Sequence, residues 1–228
     1  MKDEIAPRTL ADLFQLCAYD VEYQQAGDSV NYAFLEEGRA LTIFFQGSNS
    51  ITDWVRNFFF KRVPYKDIDV SFKAHAGFVA AWKEVQDIIV AKVTERLEYG
   101  AWEYKWQSIT IVGYSHGGAL AGLCHECVWY WRPDLRESGL SGFGFEAPRF
   151  YGGWAVKPAL RERWEKFTVV RTNSDIVTHC PPALFRYCHV GNMLKVKGDV
   201  SLCPNKRVPR CVKSHYPEVV LDALEKLS

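Results

Sequence analysis

Gly113, Tyr114, Ser115, His116 and Gly117 form a G-x-S-x-G pentapeptide whose residue types and spacing suit a nucleophile. It follows the apolar run Ile109 to Val112 directly and runs straight into Gly118, Ala119 and a helical pattern. At a sharp strand-to-helix turn a serine is thrust out of the sheet edge in strained backbone angles, and flanking glycines let neighbouring segments close in. Because a serine hydroxyl is a weak nucleophile at neutral pH, it needs a histidine base, and that base needs a carboxylate to fix its tautomer.

In this strand–nucleophile–helix arrangement the partners follow in the order serine, acid, histidine, which removes His75 and His125. His116 lies inside the turn itself and must point away from the nucleophile. Among the acids, Asp175 lies just past an apolar strand ending at Arg171, at the edge where α/β sheets present functional groups, and Asp199 is the alternative. A lone Asp in a loop otherwise serves as a turn or cap residue. His215 enters the last helix from a short loop and is the first choice of base, with His189 next. His179 is too near Asp175 in sequence to be aimed easily at a third group.

The elements that must hold these residues follow from periodicity. Leu10, Leu13, Phe14 and Cys17 recur at helical spacing after Thr9, and Ser29 to Leu35 with Ala40 to Phe45 have the spacing of a hairpin. Phe78, Ala81, Trp82, Val85, Ile88, Ile89 and Val93 predict a long helix with one buried face. Strand Ser108 to Gly113, helix Ala119 to Tyr130, strand Leu140 to Phe145, a helix around Trp154 to Trp164 and strand Lys166 to Arg171 then alternate. Such alternation implies right-handed crossovers and a parallel sheet. A strand Asn192 to Val196 and a helix Pro217 to Leu227 complete a mixed, mostly parallel sheet flanked by helices, read as one domain over 1–228.

Composition narrows the class of function. Twenty-eight Lys plus Arg against 27 Asp plus Glu give a net charge of +1, which disfavours an electrostatic hold on nucleic acid. With 48% hydrophobic residues the chain can build a core, so disorder is excluded. The longest stretch without acidic or basic side chains, Trp106 to His125, is broken by Gly, Ser and His and predicts no membrane span. No apolar leader follows Met1, which suggests a cytoplasmic protein or the mature form of an exported one. Seven Cys are too few for a disulfide scaffold, although Cys203 and Cys211 could bridge in an exported chain. Cys124 and Cys127, with Cys180, Cys188 and His189 downstream, could suggest zinc, but the first pair sits in an apolar helical pattern that favours buried thiols.

Four blocks, taken in order, resemble the class 3 lipases, a family whose best-known members are fungal triacylglycerol lipases, over about Ala40 to Tyr216. They are Phe44 to Trp54, with Gln46 where Arg is usual; His75 to Phe78; Gly113 to Ala119, with His116 where Leu is more frequent; and Asp175 to Pro182 with His189 to Gly191. The resemblance implies an α/β-hydrolase-like fold and a triad of Ser115, Asp175 and His215, with His189 structural. It also implies an oxyanion hole from Ser48 and the backbone N–H of His116, and a lid over 51–65 carrying Trp54, Phe58, Phe59 and Phe60.

The activity so implied is hydrolysis of carboxylic esters, acylglycerols foremost, through an acyl-enzyme. It calls for neither metal nor organic cofactor. The expected partners are a lipid or ester substrate and transient contact with a lipid interface. Phospholipase A or lysophospholipase action and hydrolysis of soluble esters are the enzymatic alternatives. A lipid-binding module that keeps only the fold is the reading from another class.

Overall fold

The computed structural model describes residues 8–47, 61–65, 71–98, 100–172 and 174–227. Helix α1 (Leu10–Gln15) opens with a reciprocal cap between Thr9 and Asp12 and runs into a π-helical turn, Leu16–Asp20. Strands β1 (Gln24–Ala26), β2 (Val30–Glu37) and β3 (Ala40–Phe45) form an antiparallel meander. Strands β4 (Arg62–Tyr65) and β5 (Phe72–His75) lead into α2 (Ala76–Val93). Then come β6 (Ser108–Tyr114), α3 (His116–Trp131), β7 (Leu140–Phe145), β8 (Tyr151–Gly152) and β9 (Phe167–Thr172). The chain closes with β10 (Tyr187–Cys188), β11 (Asn192–Val196), the short α4 (Arg210–Lys213) and α5 (Pro217–Glu225).

Seven described strands form the main sheet in the order β1-β2-β3-β6-β7-β9-β11, parallel from β3 onward. Its strands are apolar on both faces. Leu41, Ile43, Ile109, Ile111 and Val169 point to one side, where α2 and α3 pack, and Phe44, Val112, Phe145 and Val170 point to the other, against α1 and α5. This period-two division follows from strand pleating. Helix α3 is buried continuously from Gly117 to Val128, so it is the central helix of its layer. Helix α2 buries Phe78, Ala81, Trp82, Val85, Ile89 and Val93, each contributing about 1.5–3 kcal/mol for the larger side chains, while Ile88 falls off the stripe and is 38% exposed.

Several expectations need correction. The helix expected around Trp154 to Trp164 is a 3-10 segment, Pro158–Trp164, with Pro158 in its first turn and residues 154–157 outside any helix. Residues 62–65, read as the end of a lid, are strand β4 of a second sheet ordered β10-β8-β5-β4. Pro64 fits there because β4 is its edge strand. Cys203 and Cys211, the pair that an exported chain could have bridged, do not form a disulfide. Cys124 and Cys127 are buried in the core, and among the described residues no set of three metal-ligating groups includes either of them. Among the same residues no helix is long and apolar enough to cross a membrane.

Candidate active site

Strand β6 ends in the middle of the parallel sheet, and the chain turns at Ser115 with φ 55° and ψ −124° before entering α3. The turn is held by the Ser115 N–H, which donates to Phe145 O at 2.8 Å, and by the Gly118 N–H, which donates to Ser115 O at 2.9 Å. The motif glycines answer to close approach. A Cβ on Gly113 would lie 2.1 Å from Gly117 O, and one on Gly117 would lie 2.2 Å from Phe45 O. Both contacts are impossible for a larger residue without moving backbone.

Two other loops converge on Ser115. Asp175 follows β9, and His215 follows α4. The Thr172 hydroxyl donates to Ser214 O at 3.2 Å, Ser174 and Ser214 hydroxyls lie 2.6 Å apart, and the Ile176 N–H donates to Cys211 O at 3.0 Å. These bonds tie the loop bearing the acid to the loop bearing the histidine. His215 Nδ1–H donates to Asp175 Oδ2 at 2.6 Å, and the Ser115 hydroxyl donates to His215 Nε2 at 2.8 Å. All three side chains are buried.

The electrostatics favour an ionised acid in that chain. Burial alone would raise the Asp175 carboxyl, but His215 beside it, the neighbouring Glu146 side chain and the Val177 N–H at 2.9 Å together hold it below the usual carboxylate range. With Asp175 accepting from Nδ1, the other ring nitrogen faces Ser115 as an acceptor, which is the tautomer a general base requires.

The alternatives lie elsewhere. His179 Nδ1 contacts the backbone carbonyl of Asp175 at 2.7 Å instead of its carboxylate. His189 Nε2 bonds Thr178 O at 2.8 Å, and burial pushes its pKa down to about 3, so it is a neutral bracing residue. Asp199 is at the surface and caps the Ser201 N–H at 2.9 Å. A cavity of about 500 Å³ lined by Val156, Trp164, His189 and Asn192 contains none of the three converging residues.

His116 begins α3, where the first N–H groups lack intrahelical acceptors and the helix dipole is positive. Its ring packs on Phe78 with centroids 5.4 Å apart, and burial with His75 nearby pushes its pKa down to about 4, so it adds no charge. Ser48, Trp54, Phe58, Phe59 and Phe60 lie outside the described residues. Gly47 is described, and a Cβ built on it would sit 3.1 Å from Ser115 Cβ, so the segment after β3 reaches the serine. Gln46 accepts from Asn31 Nδ2 at 2.8 Å.

Two contributors escape sequence reading. Tyr114 stacks on His215 at 5.2 Å between ring centroids, and its hydroxyl donates to the His215 carbonyl. Glu146, the residue after β7, is wholly buried beside Asp175. Its sequence signal is a carboxylate at the end of an apolar strand, Leu140 to Phe145, next to the strand that carries the serine.

Comparison with known proteins matches the family model Lipase (class 3) to residues 42–185. The chain belongs to the class 3 lipase family. The Rhizomucor miehei lipase is 30% identical over 159 residues, 67% of this chain and 40% of that protein. A solved triacylglycerol lipase whose catalytic centre is described as a serine protease triad superposes with TM-score 0.64 at 27% identity, covering 89% of this chain and 77% of that one. A fungal lipase–inhibitor complex described as a model for interfacial activation gives TM-score 0.60 at 26% identity, covering 76% of this chain and 64% of that one. The mixed sheet with its flanking helices is thus the α/β-hydrolase fold of the fungal lipases. The chain spans about two fifths of the length of the first curated relatives it matches.

Proposed function

We propose that this chain is a serine ester hydrolase acting on acylglycerols, with Ser115 as nucleophile, His215 as general base and acid, and Asp175 as the anion that orients and stabilises the imidazolium. The observation that carries the reading is the unbroken chain of hydrogen bonds from Ser115 through His215 to Asp175, at 2.8 and 2.6 Å.

In the reaction, Ser115 Oγ attacks the ester carbonyl as its proton passes to His215 Nε2. The tetrahedral oxygen takes its hydrogen bonds from the His116 N–H and from Ser48, donors of a kind commonly worth about 3–4 kcal/mol each. Nε2 then returns the proton to the departing alcohol, leaving an acyl-Ser115 ester. Water, deprotonated by the same nitrogen, attacks that ester and releases the acid.

Residues 1–228 make one hydrolase domain in this reading, and 51–60 form an apolar flap bearing Trp54, Phe58, Phe59 and Phe60. A lipid-facing mouth is supported by Ile176, Leu184 and Phe185, exposed on the segment just after Asp175 at 37%, 79% and 46%.

A fluorophosphonate should label Ser115 stoichiometrically, and Ser115→Ala should lose both label and ester hydrolysis while keeping its melting temperature. Hydrolysis within tenfold of wild type in Ser115→Ala would remove the assignment. A panel of triglyceride emulsion, phosphatidylcholine vesicles and a short soluble ester should rank the emulsion first.

A further inference from the structure

Glu146 has no part in the mechanism above, yet its surroundings are unusual for a carboxylate. It is wholly buried and takes φ 49°, a left-handed backbone that suits glycine. One carboxyl oxygen, Oε1, accepts the Thr172 N–H at 2.6 Å. The other, Oε2, is buried and receives no hydrogen bond from any donor among the described residues. Ligating atoms of Glu146, Asp175 and His215 all lie within 4.8 Å of one another.

Two carboxylates this close in a buried pocket cannot both be ionised. Desolvation, then the neighbouring Asp175, push Glu146 well above the usual carboxylate range, while Asp175 stays below it because His215 faces it directly. The titratable groups bearing on Glu146 are Asp175, His215 and, from β6, Tyr114. An un-ionised Glu146 offers an O–H donor, and the Asp175 carboxylate beside it offers an acceptor.

We propose that Glu146 is a positioning residue of the triad, orienting the Asp175 carboxylate through a hydrogen bond donated by its own un-ionised carboxyl group. Asp175 then receives three donors: His215 Nδ1–H on Oδ2, the Val177 N–H on Oδ1, and Glu146. The third donor stops the carboxylate from rotating away from the imidazole. It thereby holds the tautomer that leaves Nε2 free to accept the Ser115 proton. This inference rests on the assignment of Ser115, His215 and Asp175 given above.

The test has one arm independent of activity. The infrared spectrum at neutral pH should show the carbonyl stretch of a buried protonated carboxylic acid, and the band should vanish in Glu146→Gln. In the second arm, Glu146→Gln keeps an acceptor for Thr172 and an N–H donor for Asp175, whereas Glu146→Gly removes both and relaxes the backbone. Fluorophosphonate labelling of Ser115 should slow by less than about tenfold in the Gln variant and by roughly ten- to hundredfold in the Gly variant, with the loss in kcat and KM little changed. Absence of the infrared band, or equal losses in Gln and Gly, would overturn the proposal. Should Glu146→Gly not fold, the infrared comparison decides alone. Failure of wild-type protein to label at Ser115 would instead refute the hydrolase reading, and the band would still report on the carboxyl pair.

Discussion

Replacing Glu146 by Gln should remove a pH dependence of stability that can be worked out beforehand. An unfolded Glu titrates near 4.3, whereas burial and Asp175 push the folded Glu146 well above that range. An acid raised on folding contributes stability that is fully present below its unfolded pKa and lost as pH climbs toward its folded one. Between those values the native state holds about one more proton than the unfolded chain, so stability falls by about 1.4 kcal/mol per pH unit. The amide in the Glu146→Gln variant does not titrate. As pH rises through that window the advantage of that variant over wild type should therefore grow by about 1.4 kcal/mol per unit, or roughly 3–6 °C in melting temperature per unit for a chain of this size. Asp175 is shifted the other way, so its contribution fades only as pH falls through the acid range, below this window. Urea unfolding of both proteins at half-unit steps of pH is the measurement. A difference that stays flat from pH 5 to pH 7 would mean that Glu146 is ionised in the folded protein, and the argument for a neutral carboxyl would fail.

Three further outcomes are expected. His215→Ala should lose about as much ester hydrolysis as Ser115→Ala, with the double variant little worse, whereas His189→Ala should retain substantial turnover; steady-state kinetics on a soluble ester compares them. Gly117→Ala should destabilise the protein by about 1–3 kcal/mol or more in urea titration, since its Cβ would lie 2.2 Å from Phe45 O and 2.6 Å from Gln46 O, both backbone atoms. Phe59→Ser with Phe60→Ser should flatten the rise in rate as a partly soluble ester passes its solubility limit while sparing a short soluble one, as the proposed flap requires, since apolar rings gain from a lipid surface.

The parallel half of the main sheet is legible in the sequence because its strands are apolar runs, and because β6 passes directly into the helical pattern of α3. Ser115, Asp175 and His215 stand out because their spacing and order are chemical, and the structure brings their side chains into one chain of hydrogen bonds. The second sheet is not legible. Its strands are two to four residues long, one contains Pro64, and β8 pairs with partners some 80 residues before it and 35 after it, as in Ala74↔Tyr151 and Cys188↔Tyr151. Glu146 escapes for a related reason. Alone in a sequence a carboxylate after a strand reads as a turn residue, and only the sheet order, which sets β7 between β6 and β9, brings it beside Asp175.

That sheet order uses the same device twice. Ser115 follows β6 with φ 55°, and Glu146 follows the adjacent β7 with φ 49°. Each donates its N–H to the next strand across, Ser115 to Phe145 O and Glu146 to Val170 O, both at 2.8 Å. In each case the ladder continues one residue beyond the regular strand while the side chain swings out at the carboxyl edge. For an L-residue the left-handed conformation costs about 1–2 kcal/mol, and glycine would remove that cost at either position. At Ser115 the cost is explained by the hydroxyl that the turn presents to His215. At Glu146 the same strain falls on a carboxyl group that also loses its hydration, and no packing gain for a buried acid offsets both. What the turn achieves there is to carry Oε1 to the Thr172 N–H at the end of β9 and to set the carboxyl group beside Asp175. The strain therefore falls on the two residues whose side chains must reach from one strand end to the next, and the acid, like the nucleophile, is aimed by it.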